Sequence, residues 1–122
     1  MMRGAAVYTI EDRIVRALLL VVVADGRIDA AELAVVERIA RTLCGVTMAP
    51  DDLRALARTV QNEPEDVAAY LAQIRRMLGD DERRALLAGL RAVARADGAV
   101  AERERLELAA AAAALGLDPS DA

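Results

Sequence analysis

The sequence contains no lysine, histidine, phenylalanine or tryptophan, one cysteine, Cys44, and one serine, Ser120. A lone cysteine without histidine excludes an intramolecular disulfide, a Cys/His zinc site and a histidine-assisted nucleophile. The reactive groups that remain are carboxylates, two tyrosines and a few threonines. This inventory argues against a hydrolase that works without a metal, and we expect a protein that is not an enzyme.

The charge balance is acidic, and every one of the 16 cationic side chains is arginine. A net charge of −4 and a pI near 4.9 disfavour a nucleic-acid partner. The most apolar run, Ala17 to Ala24, is shorter than the ~20 residues that cross a bilayer. Charged residues between Glu11 and Arg16 interrupt the region where a secretion signal would lie. We expect no transmembrane segment and a cytoplasmic location.

The fold class follows from composition and periodicity. Apolar residues make up 56% of the 122 residues and aromatic residues 2%, a balance typical of a helical bundle. Apolar positions recur at helical spacing in segments that begin near Ile10, Asp29, Pro50, Pro64, Asp80 and Ala101. No alternating strand pattern is present. We predict an all-α single domain over residues 1–122, a compact bundle of about six helices with its core at about 10–117.

An internal repeat is the most informative feature of the chain. The stretch ADGRIDAAE, Ala24 to Glu32, nearly recurs as ADGAVAERE, Ala96 to Glu104. Aligning the two stretches pairs Asp25 with Asp97, Gly26 with Gly98, Ile28 with Val100, Glu32 with Glu104 and, further on, Leu43 with Leu115. Each stretch joins two predicted helices. We therefore predict two pseudo-symmetric helix–Asp-Gly turn–helix repeats packed about a pseudo-twofold axis.

Three interpretations of the repeated turn compete. In the first it is local structure, with Gly26 in a left-handed conformation and Asp29 and Glu32 forming a capping box. In the second it is an EF-hand calcium loop. Val21 and Val23 occupy positions where that loop needs oxygen ligands, so a self-contained EF-hand lacks the about six to eight oxygens that calcium takes.

In the third interpretation the two copies share one carboxylate site. Asp29 becomes Ala101 in the second copy, whereas the outer acidic residues recur, which favours a role beyond capping. Four clustered carboxylates repel one another unless a cation or arginines such as Arg27 and Arg95 neutralise them. All-oxygen ligation suits Ca²⁺, Mg²⁺ or Mn²⁺ better than zinc or copper. This site would consist of Asp25, Glu32, Asp97 and Glu104.

The duplicated Asp-Gly-x-(Ile/Val)-x-x-x-Glu turn, with its flanking helices, resembles the tellurite-resistance TerB family over roughly Ile10 to Leu117. It is also similar to the related N-terminal domain of the membrane-anchored J-domain co-chaperone DjlA. The resemblance implies an all-α fold of paired repeats, a stress-response role and a metal-binding acidic set. Carried over by position, that set is Asp25, Glu32, Asp97 and Glu104, with Asp29 as an auxiliary ligand. No J-domain motif is present, so co-chaperone activity does not transfer.

These observations lead to a functional hypothesis. We expect a non-enzymatic, TerB-like interaction or scaffold module in bacterial metal or envelope stress, resembling tellurite resistance, with a divalent cation as its only cofactor. Its partner would be a protein, in a complex peripheral to the inner membrane. Two alternatives stay open: a metal-dependent enzyme that uses the same carboxylates, and a structural homodimer that pairs through Ala110 and Ala113. Cys44 is expected to be an inert thiol, Tyr8 and Tyr70 to be packing residues, and four arginines to offer a face for an acidic partner: Arg54, Arg58, Arg75 and Arg76.

Overall fold

The computed structural model describes residues 9–24, 26–63, 65–96 and 102–118. Those residues form no strand and contain six α-helices: α1 Ile10–Val22, α2 Ala30–Ile39, α3 Pro50–Asn62, α4 Val67–Ile74, α5 Asp80–Ala94 and α6 Glu102–Ala114. A π-helical turn, Ala40–Cys44, continues α2, and a 3₁₀ turn, Arg75–Met77, continues α4. The predicted all-α bundle of about six helices is confirmed.

Local side-chain chemistry fixes where the helices begin. Thr9 and Asp12 form a capping box at α1, in which the Asp12 amide donates to Thr9 Oγ1 at 3.1 Å. Pro50 occupies the first turn of α3, where its missing N–H is no loss. Asp66 caps α4 by accepting the Ala69 amide at 2.9 Å. The starts of α1 and α3 coincide with the predicted positions, whereas α4 begins at Val67, three residues after Pro64, which lies outside the described residues.

The second and fourth helices do not end as regular α-helices. The second helix closes through the π-helical turn and stops at Gly45, whose φ of 69° is left-handed. The helical spacing of Val67, Tyr70, Leu71, Ile74 and Leu78 predicts a fourth helix that runs through Leu78, but its α-helical part ends at Ile74. Leu78 is extended and still buried, because the 3₁₀ turn, closed by the Leu78 amide on the Arg75 carbonyl at 3.2 Å, directs it back to the core.

The first helix is the centre of the bundle. It packs against α2, α3, α4 and α5. Its apolar residues surround the helix on most sides, so that Ala17, Leu18, Leu19 and Val22 are completely buried. A helix that is apolar almost all round needs neighbours on several sides, which explains why α1 is enclosed. No helix in the described ranges is long and apolar enough to cross a membrane.

The predicted pseudo-twofold relation between the repeats is not confirmed. Both hairpins exist, since α1 packs on α2 and α5 packs on α6. In a pseudo-twofold arrangement α1 corresponds to α5 and α2 corresponds to α6. The packing of α2 on α5 would then have a counterpart in a packing of α6 on α1. Instead α6 packs most extensively on α4, which lies between the two hairpins in the chain. The middle helices therefore give the second hairpin a different environment from the first.

Candidate functional site

The first acidic turn ends in a capped helix. Asp29 is the N-cap of α2, and its Oδ1 accepts the amides of Ala31 at 2.7 Å and Glu32 at 3.3 Å. Asp29 caps α2 as predicted, but the predicted capping box with Glu32 is not found at this helix. Such a cap stabilises a helix by about 1 kcal/mol. Both hydrogen bonds use the same oxygen. The second carboxylate oxygen is therefore not needed for capping.

Glu32 has an unusual environment for a glutamate. Only 6% of its surface is exposed, and it is the one buried charged residue among the residues that the structure describes. A carboxylate is costly to bury unless it is paired or hydrogen-bonded, and Glu32 does have an interaction partner. Its place in the first turn of α2 also suits the positive end of the helix dipole. Glu32 is thus held at the core edge, next to the turn.

The turn itself is held through Gly26. Its φ of 86° lies in the left-handed region, which glycine enters without strain. Its amide donates to the Val23 carbonyl at 3.0 Å, and its carbonyl accepts the side-chain Nε2 of Gln61 at 3.0 Å. Gln61 comes from the last turn of α3 and was not singled out by the sequence. No motif signals this contact, because it joins residues far apart in the chain.

The remaining predicted ligands are divided between described and undescribed parts of the chain. Asp25 and Asp97 lie outside the described residues. Glu104 lies in the first turn of α6, half-buried and engaged in an interaction. Helix α6 packs on α4 and α5, whereas α2 packs on α1, α3 and α5, so the two acidic helices have α5 as a common neighbour.

The described acidic residues do not complete a metal site by themselves. Within the described ranges, no three histidine, cysteine or acidic side chains converge on a point that could hold an ion. Asp29, Glu32 and Glu104 alone are therefore insufficient, and a shared site requires Asp25 and Asp97. The donor set that the five residues offer is entirely oxygen, which fits a hard divalent cation.

Cys44 is a free, half-buried thiol at the end of the π-helical turn. Burial raises its pKa above the usual value, and the negative charges of Glu11 and Glu82 raise it further. Because the thiolate is the reactive form, a raised pKa makes the thiol less nucleophilic. The structure supports the predicted inert role.

Tyr70 is a packing residue, as predicted, with 5% of its surface exposed. Burial raises the pKa of its hydroxyl, although the nearby Arg13 and Arg16 oppose the shift. The Arg16 guanidinium lies 5.8 Å from the ring centroid and also binds Glu65 at 3.3 Å. This group ties α1 to the start of α4. Tyr8 lies outside the described residues.

The four candidate arginines occupy two separate elements. Arg54 and Arg58 are on α3, and Arg75 and Arg76 are exposed in the turn after α4. The Arg75 guanidinium lies against Gly116, where an added Cβ would stand 2.6 Å from its Nη2. A cation at this position suits the negative end of the α6 dipole. Arg75 therefore lies beside the C-terminal end of α6.

Comparison with known proteins decides the family. The family model described as tellurite resistance protein TerB matches residues 46–122, more than half of the chain. The chain belongs to the TerB family. No curated protein and no solved structure matches. The TerB match spans the second acidic turn, with Asp97 and Glu104, and the first turn is related to it by the internal repeat.

Proposed function

We propose that this TerB-family domain is a non-enzymatic interaction or scaffold module in bacterial metal or envelope stress. The observation that carries the proposal is the TerB match over residues 46–122. The side-chain inventory supports it, because the sequence offers neither histidine nor a paired cysteine for catalysis. In this proposal the domain works in the cytoplasm and reaches the inner membrane through a protein partner.

The scaffold acts, in our proposal, through a divalent cation. Asp25, Glu32, Asp97 and Glu104 would hold Ca²⁺, Mg²⁺ or Mn²⁺ between the two acidic turns, with Asp29 as an auxiliary ligand. Three observations support this arrangement. Glu32 is a buried carboxylate beside the first turn, Asp29 caps α2 with only one of its oxygens, and all donors are oxygen. An ion shared by both turns would link the two hairpins and make the surface they form depend on the metal.

Thermal unfolding after chelation tests the cation site. The chelated protein is unfolded alone and with each ion added back, in the wild type and in Asp25→Asn/Asp97→Asn. Binding to the native state at 100 times Kd contributes about 2.7 kcal/mol. For a domain of this size that corresponds to a rise in Tm of about 10 °C. We expect this rise in the wild type and its loss in the double variant.

The matched control is Asp52→Asn/Asp81→Asn. It removes the same number of charges at exposed first-turn positions of α3 and α5. This control should keep the full metal-dependent rise. If no ion raised the Tm of the wild type, the cation site would be refuted, and helix capping would be the remaining role of the acidic turns.

A growth assay tests the stress role. A strain that lacks the gene is complemented with the wild type, with Asp25→Asn/Asp97→Asn, or with the Asp52→Asn/Asp81→Asn control, and is grown in tellurite. Growth restored by the wild type and the control, but not by the acidic-turn variant, is the expected result. If all three proteins restored growth equally, the acidic turns would not be needed for the stress role.

A further inference from the structure

The outward face of α5 carries opposite charges at its two ends. Asp81 lies in the first turn, Arg95 follows the last turn as the C-cap, and Ala88 lies midway between them. All three residues are exposed. Their spacing of seven residues places them in one line along the helix, because an α-helix drifts by only about 20° over that distance. At about 1.5 Å per residue, the line runs from a negative to a positive charge over about 21 Å.

Neither charge of this line is used within the chain. The other two acidic residues of the first turn are engaged, because Asp80 lies 3.9 Å from Arg83 and Glu82 accepts a backbone amide at the helix start at 2.8 Å. Among the residues that the structure describes, by contrast, the side chains of Asp81 and Arg95 form no hydrogen bond and no ion pair. Their separation also keeps them from reaching each other. Both charges are therefore open to a partner.

This face is complementary to itself in one orientation. A twofold axis at Ala88 that runs two α5 helices antiparallel brings Asp81 of each copy opposite Arg95 of the other, because both residues are seven positions from Ala88. The short side chain of Ala88 lets the helices approach at the axis to about 8–10 Å. A parallel pair would bring like charges opposite each other at both ends. Antiparallel helices also have favourably opposed dipoles.

We propose that a second copy of this chain docks antiparallel on α5 and forms a symmetric homodimer held by two Asp81–Arg95 pairs. A purely anionic or purely cationic partner would be attracted by only one end of the line, whereas a second copy matches both ends. One helix face from each copy is a small interface, so the dimer is weak and transient. Its ion pairs are exposed and screened by salt, so it is tightest at low ionic strength. The inference does not rest on the cation site.

Charge reversal tests the pairing. Sedimentation equilibrium at low salt, with a chelator present, gives the dimer Kd for wild type, Asp81→Arg, Arg95→Asp and an equimolar mixture of the two variants. Each reversal turns two attractive pairs into two repulsive ones, so Kd should rise at least about tenfold. In the mixture one variant has two cations on the line and the other has two anions. Every pair is then attractive again, and dimers with the wild-type Kd should return.

The matched controls are Asp52→Arg and Arg58→Asp. They change the net charge by the same amounts at exposed positions of α3, and Asp52, like Asp81, lies in the first turn of its helix. Both controls should keep the wild-type Kd. Thermal unfolding of every variant checks that the exposed substitutions leave the fold intact.

Three results would overturn the proposal. A wild type that stays monomeric at low salt up to about 1 mM does not form this dimer. Dimers that survive both reversals use another surface, and their loss in Ala110→Arg would place that surface on α6. If each reversal abolished the dimer but the mixture did not restore it, Asp81 and Arg95 would not face each other across a twofold axis. Because the chelator removes divalent cations throughout, none of these results depends on the proposed cation site.

Discussion

Replacing Gly116 by alanine should destabilise the domain more than the same change at Gly45. Both glycines follow a helical segment with a left-handed φ, 75° at Gly116 and 69° at Gly45. They differ in their surroundings. A Cβ at Gly45 meets nothing within 4 Å, whereas at Gly116 it would stand 2.6 Å from Arg75 Nη2 and 2.7 Å from Arg75 Cζ.

The magnitude follows from these surroundings. The left-handed conformation costs alanine about 1 kcal/mol at either position. The gain from a less flexible unfolded chain is also common to both substitutions. At Gly116 the Arg75 guanidinium must move away in addition. Because it is the far end of a flexible side chain, we expect the added cost to be no larger than the favourable effect of a cation at a helix C-terminus, about 0.3–1 kcal/mol. Gly116→Ala should therefore exceed Gly45→Ala by up to that amount.

Urea unfolding of a double-mutant cycle measures the difference. The cycle consists of wild type, Gly116→Ala, Arg75→Ala and the double variant, with Gly45→Ala and Arg75→Ala/Gly45→Ala as the control. In the Arg75→Ala background, Gly116→Ala should cost no more than Gly45→Ala. If Gly116→Ala costs the same with and without Arg75, the contact between Arg75 and the end of α6 does not contribute to stability, and the reasoning fails.

Further predictions concern the core, the cap, the thiol and the last helix. Leu18→Ala, at a fully buried position, should lower the free energy of unfolding by about 2–5 kcal/mol, and Leu106→Ala, at a residue 63% exposed, by less than about 0.5 kcal/mol. Asp29→Ala should cost about 1 kcal/mol in urea unfolding. The pH midpoint of Cys44 alkylation should be higher in the folded protein than in urea, because burial raises the pKa of the thiol; equal midpoints would contradict this. If the alternative homodimer forms through the exposed Leu106, Ala110 and Ala113 of α6, light scattering should show a mass that doubles with concentration and that Ala110→Arg restores to the monomer; a monomer mass at all concentrations would refute it.

Sequence reasoning predicted the helices well because their starts depend on neighbouring residues. The capping box of α1 is formed by Thr9 and Asp12, which are three positions apart. The start of α3 is favoured by the ring of Pro50 alone, because the ring fixes a helical φ. The same reasoning placed Leu78 inside a helix, since helical spacing assigns an apolar residue to a face without knowing where the helix tightens. The contact between Arg75 and Gly116 joins two elements that the sequence does not relate. Such contacts depend on tertiary packing.

The candidate site divides in the same way. Asp29 could be recognised as a cap because its partners, Ala31 and Glu32, follow it directly. The burial of Glu32 depends on how α2 packs against α1, α3 and α5, and Gln61 reaches the turn only because α3 is packed beside it. The repeat in the sequence suggested equivalent surroundings for both turns. The packing of α6 on α4 differs from the surroundings of α2, because the middle helices have no counterpart in the repeat.

The stoichiometry of cation binding tests the central proposal most directly. Isothermal titration of the chelated wild-type protein with Ca²⁺, Mg²⁺ and Mn²⁺ counts the ions bound to each chain. A site shared by the two acidic turns predicts one ion per chain, with binding abolished by Asp25→Asn and by Asp97→Asn separately, since each turn contributes ligands to the same ion. No binding of any ion, or two ions of which each single substitution removes only one, would contradict the shared site.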